Sequence, residues 1–175
     1  MYMWIQNCSL LKVADVFFKE PSQIHFIKEI SRKIDLAPTS VRTHIETLRK
    51  EKIIMEKEGK PFSGWIANRD FDDFLFNKKI FNLLSLKNLI SELKNNYYPS
   101  MILLFGSYSR GEDLENSDID LLIITKSKKD IDLRKFEKEM ARKINLSLID
   151  NVHQLDKSVL QNIKNGIVMH GGWNE

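Results

Sequence analysis

The chain has a single cysteine, Cys8, among 175 residues, and so can form no internal disulfide. A lone thiol also leaves a cysteine-based zinc site without a second thiolate. The four histidines, His25, His44, His153 and His170, stand far apart and share no ligand spacing. A reducing, cytoplasmic location is the expectation. Glycine (7) and proline (4) are scarce, which excludes collagen-like and low-complexity chains. No apolar run approaches the roughly 20 residues that cross a bilayer; the longest, Met101–Phe105 and Leu121–Ile124, have the length of strands. No basic segment precedes the apolar stretch at the N-terminus, and Lys12 and Asp15 interrupt it, so it reads as a poor signal peptide. What is present, 42% hydrophobic and 29% charged residues, is the composition of a soluble globular protein of one ordinary domain or two small ones.

The net charge of +3 is modest but unevenly spread. Residues 1–69 carry 12 Lys/Arg against 8 Asp/Glu, a net of +4, and residues 70–175 carry 15 against 16, a net of −1. A basic first third beside a near-neutral remainder suggests two modules with different partners.

In the first third, Leu10, Val13, Ala14 and Phe17 recur at helical spacing from Ser9 to about Lys19, and Pro21 ends that helix. A second helix is expected over about His25–Lys33, with Ile27, Ile30 and Ile34 inward. Asp35-Leu36-Ala37-Pro38 makes a tight connection to a third, Thr39–Lys50, which buries Val41, Ile45 and Leu48. Ile53–Glu58 and Phe62–Ala67 flank the turn residues Gly59-Lys60-Pro61 as a β-hairpin. Three helices closed by a hairpin describe a winged helix-turn-helix, and the stretch Ile30–Ile45 with Leu48–Ile54 resembles the winged-helix transcription regulators common in prokaryotes. On the third helix Thr39, Ser40, Arg42, Thr43, Glu46, Thr47 and Lys50 face away from the core. Hydroxyls and cations there could reach phosphates and base edges, with Lys57 and Lys60 on the wing. The other use of the same surface is a solvated face or a protein contact. His44 falls on the inner stripe and reads as a core histidine. A homodimer is expected, because paired half-sites suit two-fold symmetry.

Residues 70–96 form a helical connector, as one or two helices, ahead of a C-terminal module at 97–175. Phe71, Phe74, Phe76 and Phe81 make an aromatic group suited to a core between modules or a dimer interface. The chemistry lies further on. Met101–Phe105 is an apolar strand ending in Gly106-Ser107; a short helix follows, and a second strand opens with Asp118-Ile119-Asp120. Alternation along a strand sets Asp118 and Asp120 on one face, roughly 7 Å apart at the backbone. Two carboxylates that close repel unless a cation or proton lies between them, and Mg²⁺ suits one or two carboxylates plus phosphate oxygens. Gly106 lets the backbone approach a ligand, Ser107 sits where free N–H groups favour phosphate, and Arg110 adds a cation.

Gly106-Ser107, ten residues, then Asp118-x-Asp120 resembles the signature of the polymerase β nucleotidyltransferase superfamily, and Arg110-Gly111 and Ser117 match its minimal branch. The resemblance covers Leu84 to Gly172 at most. It implies a mixed sheet with flanking helices there, so that with the winged helix before it the whole chain is expected to be α+β. It also implies a site in which Asp118 and Asp120 hold Mg²⁺ and catalyse, while Gly106, Ser107, Arg110 and Ser117 bind the nucleoside triphosphate. In that family a third carboxylate on a later strand helps hold a second Mg²⁺. Here, after a helix expected over Ile131–Arg142, the strand reads Lys143-Ile-Asn-Leu-Ser-Leu-Ile-Asp150. Asn145 and Ser147 share the face where an acid would stand, and Asp150 has the opposite parity. Asn145 could lend a metal its carbonyl oxygen but cannot act as a base. A helix about Asp156–Lys164, a stop at Asn165-Gly166 and a strand Ile167–His170 complete the module; His153 and His170 read as surface or packing residues.

Two functions follow. One is an enzyme that moves a nucleoside monophosphate from NTP to a hydroxyl of a nucleic acid or protein, a protein acceptor such as a toxin being implied by the resemblance to minimal relatives. The other is a DNA-binding regulator whose C-terminal module senses nucleotide or dimerises.

Overall fold

In the computed structural model, which describes residues 8–59, 62–151 and 163–172, the chain divides into two compact units, Met1–Phe81 and Asn82–Glu175. The first opens with α1 (Ser9–Lys19), α2 (Ile27–Ile34) and α3 (Pro38–Lys50). Their sequence spacing fixes which faces meet: Val13 and Phe17 of α1, Ile30 of α2 and Val41, Ile45 and Leu48 of α3 are all buried in one cluster. Between α2 and α3 the backbone turns left-handed at Asp35 (φ 51°), and the Ser31 hydroxyl donates to the Leu36 carbonyl at 2.6 Å. Pro38 then occupies the first turn of α3, where its missing N–H leaves no bond unmade. The second helix starts two residues later than the sequence suggests. His25 pairs instead with Trp65 in an isolated antiparallel bridge, its N–H donating to the Trp65 carbonyl at 2.8 Å. The hairpin of β1 (Ile54–Lys57) and β2 (Gly64–Ala67) is antiparallel and in register from Ile54 with Ala67 to Lys57 with Gly64.

The helix α4 (Asp72–Ser85) spans the boundary between the units. Phe74 is buried in the first unit's core and Phe18 packs against the rings of both Phe74 and Phe81. Phe76 is exposed and so stands apart from the expected aromatic group.

In the second unit α5 (Lys87–Tyr97) is followed by β3 (Met101–Phe105), the short α6 (Gly106–Arg110), β4 (Ile119–Ile124), α7 (Arg134–Met140), β5 (Ile144–Ile149) and β6 (Ile167–Gly171). The strands form one mixed sheet in the order β5-β4-β3-β6. β3 is antiparallel to both β4 and β6, and β4 is parallel to β5. The two apolar runs of the sequence are the two central strands, covered on both faces: Ile102, Leu104, Leu121 and Ile123 belong to one cluster with α5, and Leu103 and Leu122 to another. α7 is shorter than its periodicity suggests. At its start Asp132 accepts the Arg134 backbone N–H at 3.0 Å and two further bonds from the Arg134 guanidinium, and Ala141 ends the helix in a left-handed turn. The helix expected over Asp156–Lys164 lies largely outside the described residues; within them, Gly166 N–H donates to the Ile163 carbonyl, consistent with a stop there.

A buried polar network braces the loop between α6 and β4. Asp113 and Arg142, both buried, form an ion pair at 2.9 Å. Asn82 donates to the Asp113 carboxylate at 2.7 Å and to the Tyr108 carbonyl at 2.9 Å, and the Arg142 guanidinium also reaches the carbonyls of Leu114 and Ser117. Removing one member strands a buried charge. Asp113→Ala is expected to lower the unfolding free energy by about 3 kcal/mol, whereas Glu46→Ala, which breaks the exposed pair with Arg49, should hardly move the urea midpoint. Equal midpoints for the two variants would refute the bracing role.

Candidate functional site

The site forms where β3 ends and β4 begins, side by side in the sheet. Phe105 is the register partner of Asp120, so the chain leaving β3 turns directly over the Asp120 side chain. That turn is made by Gly106 at φ +74°, a left-handed conformation, and a Cβ placed there would lie 2.5 Å from Asp120 Oδ2. Glycine is thus required twice, for the backbone angle and for the room the carboxylate takes. Ser107 follows in the first turn of α6, half-buried, and Ser109 caps the turn with a hydroxyl bond to the Gly106 carbonyl at 2.7 Å. Gly111, also left-handed at φ +76°, ends α6.

The loop 112–117 delivers Asp118 to the head of β4. Its shape comes from the network described above and from Ser117, whose hydroxyl oxygen accepts the Leu114 N–H at 2.9 Å. Ser117, expected among the nucleotide-binding residues, is therefore engaged in holding its own turn. Arg110 reaches outward, with Nε 2.7 Å from the Glu112 carboxylate in an exposed pair.

Asp118 and Asp120 point to the same side, as strand alternation requires, and a third side chain joins them. Asn145 on β5 is the register partner of Asp120, and its Nδ2 donates to Asp118 Oδ2 at 3.2 Å and to Asp120 Oδ1 at 3.0 Å. Both aspartates are half-buried and Asn145 is exposed. Asp150 follows the last residue of β5, five positions and roughly 16 Å beyond Asn145, next to the far end of β4, where Ile124 pairs with Ile149. It does not stand in for a third acid. Among the described residues no group of three or more His, Cys, Asp and Glu side chains could hold a metal.

The donor set therefore offers a divalent cation two carboxylates on one face, open to solvent on one side, beside the glycine turn. It fits one ion shared with phosphate oxygens, and lacks the third acid that a pair of ions would use.

The proposed DNA-facing residues lie in the other unit. Thr39, Arg42, Thr43 and Thr47 are exposed on α3, Ser40 is half-buried there, and Lys57 is exposed on β1; Lys60 lies outside the described residues. The Thr43 and Thr47 hydroxyls bond back to the carbonyls of Thr39 and Thr43, and Arg42 extends to solvent. His44 is half-buried and its Nε2 lies 2.8 Å from the Ser9 hydroxyl, a packing role. Two kinds of residue escaped the sequence reading. Asn82, Asp113 and Arg142 carry no periodic signal that would separate them from surface polar residues, and nothing in the strand pattern of Asn145 indicates that one amide bonds both acids.

Among the described residues no helix is long and apolar enough to cross a membrane. A family model described as "Nucleotidyltransferase domain" matches residues 86–170. A stretch of 32 residues is 56% identical to the Methanocaldococcus jannaschii protein named "Putative protein adenylyltransferase MJ1215", covering 18% of this chain and 37% of that one. A stretch of 42 residues is 45% identical to "Putative protein adenylyltransferase MJ0604" of the same organism, covering 23% and 42%. The chain thus spans less than half the length of these curated relatives. A solved structure described as a toxin-antitoxin with AMP-PNP superposes with a TM-score of 0.40 at 23% identity, over 52% of this chain and 74% of that one. With Gly106-Ser107 at the end of one central strand and Asp118-Ile119-Asp120 at the head of the next, residues 86–170 form a nucleotidyltransferase domain of the polymerase β type.

Proposed function

We propose that the second unit binds a nucleoside triphosphate with Mg²⁺ and transfers its nucleoside monophosphate to a hydroxyl, while the first unit tethers it to DNA. The observation that carries the nucleotide reading is the convergence of Asp118, Asp120 and the Gly106 turn at one end of the central strands. Asp118 and Asp120 hold the ion, which when bound supplies positive charge to the phosphoryl oxygens. The Gly106 turn and Ser107 receive the β- and γ-phosphates, and Arg110 exchanges its exposed bond to Glu112 for a phosphate oxygen. In the transfer, the acceptor oxygen forms a bond to the α-phosphorus and the bond from that phosphorus to the bridging oxygen breaks. Pyrophosphate leaves and the hydroxyl proton passes to solvent. A protein is the acceptor we favour, because both relatives from Methanocaldococcus jannaschii carry the name of protein adenylyltransferases.

One observation favours a second reading, in which the domain holds nucleotide for sensing or dimerisation within a DNA-binding regulator. Asn145 stands opposite Asp120, and an amide cannot take the acceptor's proton. Labelling separates the two. Incubated with each α-³²P-labelled NTP, Mg²⁺ and cell lysate, the wild-type protein should label a protein band, and Asp118→Asn or Asp120→Asn should reduce the label at least about 100-fold. No label from any of the four NTPs, with Mn²⁺ also tried, would leave only the sensing role.

The tether rests on the cationic and hydroxyl face of α3, with Arg42 extended to solvent, and on Lys57 of the hairpin. Duplex affinity should fall steeply with salt, and Arg42→Ala should weaken it uniformly across sequences while lowering the log–log salt slope by about one. An unchanged slope in that variant would remove α3 from the contact.

A further inference from the structure

We propose that Asn145 tunes the acidic site to one weakly held divalent cation: as a neutral hydrogen-bond donor it competes with that ion for the carboxylate oxygens, and standing where a carboxylate could face Asp120 it supplies no charge for a second ion. The inference rests on the nucleotide–cation reading above and concerns how that site is tuned.

The geometry is specific. Asn145 Nδ2 donates to Asp118 Oδ2 and Asp120 Oδ1, one oxygen from each acid, at 3.2 and 3.0 Å. Ionised carboxylates only accept, so the NH₂ end of the amide must face them and its carbonyl oxygen must point away. An NH₂ group with two hydrogens directed at two anions supplies partial positive charge at the point where a cation would bridge them. A cation bound by Asp118 Oδ2 and Asp120 Oδ1 must displace those two bonds. For the amide to become a ligand it must also rotate by half a turn to present its oxygen. Either course costs the bond energy of a charge-assisted pair, so Asn145 opposes the first ion mildly.

Its effect on a second ion is larger. Two divalent ions bring four positive charges against two carboxylates, and among the described residues no third acid, histidine or cysteine completes a cluster with them. Asp150 is displaced to the far end of the strand pair. Position 145 is the place on β5 that faces Asp120 directly, so it is the one position on that strand where a carboxylate would bring a third charge to the same oxygens. The side chain is exposed on an edge strand, so its chemistry can change without repacking a core.

The test counts ions on the full-length protein. Mn²⁺ binding is measured by electron paramagnetic resonance with a saturating α,β-methylene NTP analogue, alongside far-UV circular dichroism to confirm that each variant is folded. Wild type should bind one Mn²⁺ per chain and Asn145→Asp two. Asn145→Ala, which removes the competing donor and adds no charge, should still bind one, with an affinity higher by roughly threefold or more. Two ions on the wild type, one on folded Asn145→Asp, or weaker binding by Asn145→Ala would overturn the inference while leaving the nucleotide–cation reading intact. Absence of bound Mn²⁺ on the wild type in the presence of the analogue would overturn that reading and this inference with it. Should Asn145→Asp fail to fold, the affinity of Asn145→Ala decides alone.

Discussion

The ion pair of Asp113 and Arg142 is the constraint on which the second unit's site depends. Both groups are buried, and taking two charges out of water costs several kcal/mol each before their attraction repays it. The structure meets that cost with further bonds: Asn82 to Asp113, and the Arg142 guanidinium to the carbonyls of Leu114 and Ser117, while its cation lies 5.8 Å from the centre of the Tyr108 ring. Every one of these bonds grips either α6 or the irregular loop after it. That loop has no ladder of its own to fix it, yet it must bring Asp118 to the head of β4 opposite the Gly106 turn. A buried pair of apolar side chains could fill the same volume, but would leave the loop carbonyls without partners and its path unspecified.

A different balance operates at the site itself. Asp118 and Asp120 are set together by strand alternation, which neither acid can relax without leaving the strand. Their repulsion is met by one neutral amide from the neighbouring strand. The parallel pairing of β4 with β5 makes this possible: Ile119 opposite Ile144 buries the apolar neighbours and thereby turns Asp120 and Asn145 to the same open face. Register here is chemistry, because a slip by one residue would bury the amide and present an isoleucine to the acids.

This division explains what could be read from sequence and what could not. The strand of Met101–Phe105, the Gly106-Ser107 turn, the spacing to Asp118 and Asp120, and the parity of Asn145 are local properties, each set by a period of two or by a glycine's allowed angles. The inward set Val41, Ile45 and Leu48 of α3 is legible for the same reason, whereas Pro38, which reads as the end of the connection, is the first residue of the helix. The Asp113–Arg142 pair was not, because its partners lie 29 positions apart in a loop and just after a helix, where a charged residue normally meets solvent. α7 starts later than its apolar periodicity predicts, at Arg134, whose backbone N–H is held locally by the Asp132 carboxylate. Phe76 neighbours the other rings in sequence, but helical rotation carries it to the opposite side from Phe74.

The fold and the chemistry therefore rest on different kinds of residue. The loop that aims Asp118 depends on buried charges, where any single change leaves an unpaired group and costs stability. The character of the site depends on position 145, exposed on the edge strand of the sheet, where an amide and a carboxylate of nearly the same shape are interchangeable as far as packing is concerned. One is a neutral donor and the other an anionic acceptor, so the exchange changes the charge of the site by one without disturbing the core clusters on which the strands depend. A scaffold built this way keeps the Gly106 turn and the two aspartates in place while the charge beside them is set by a single surface side chain.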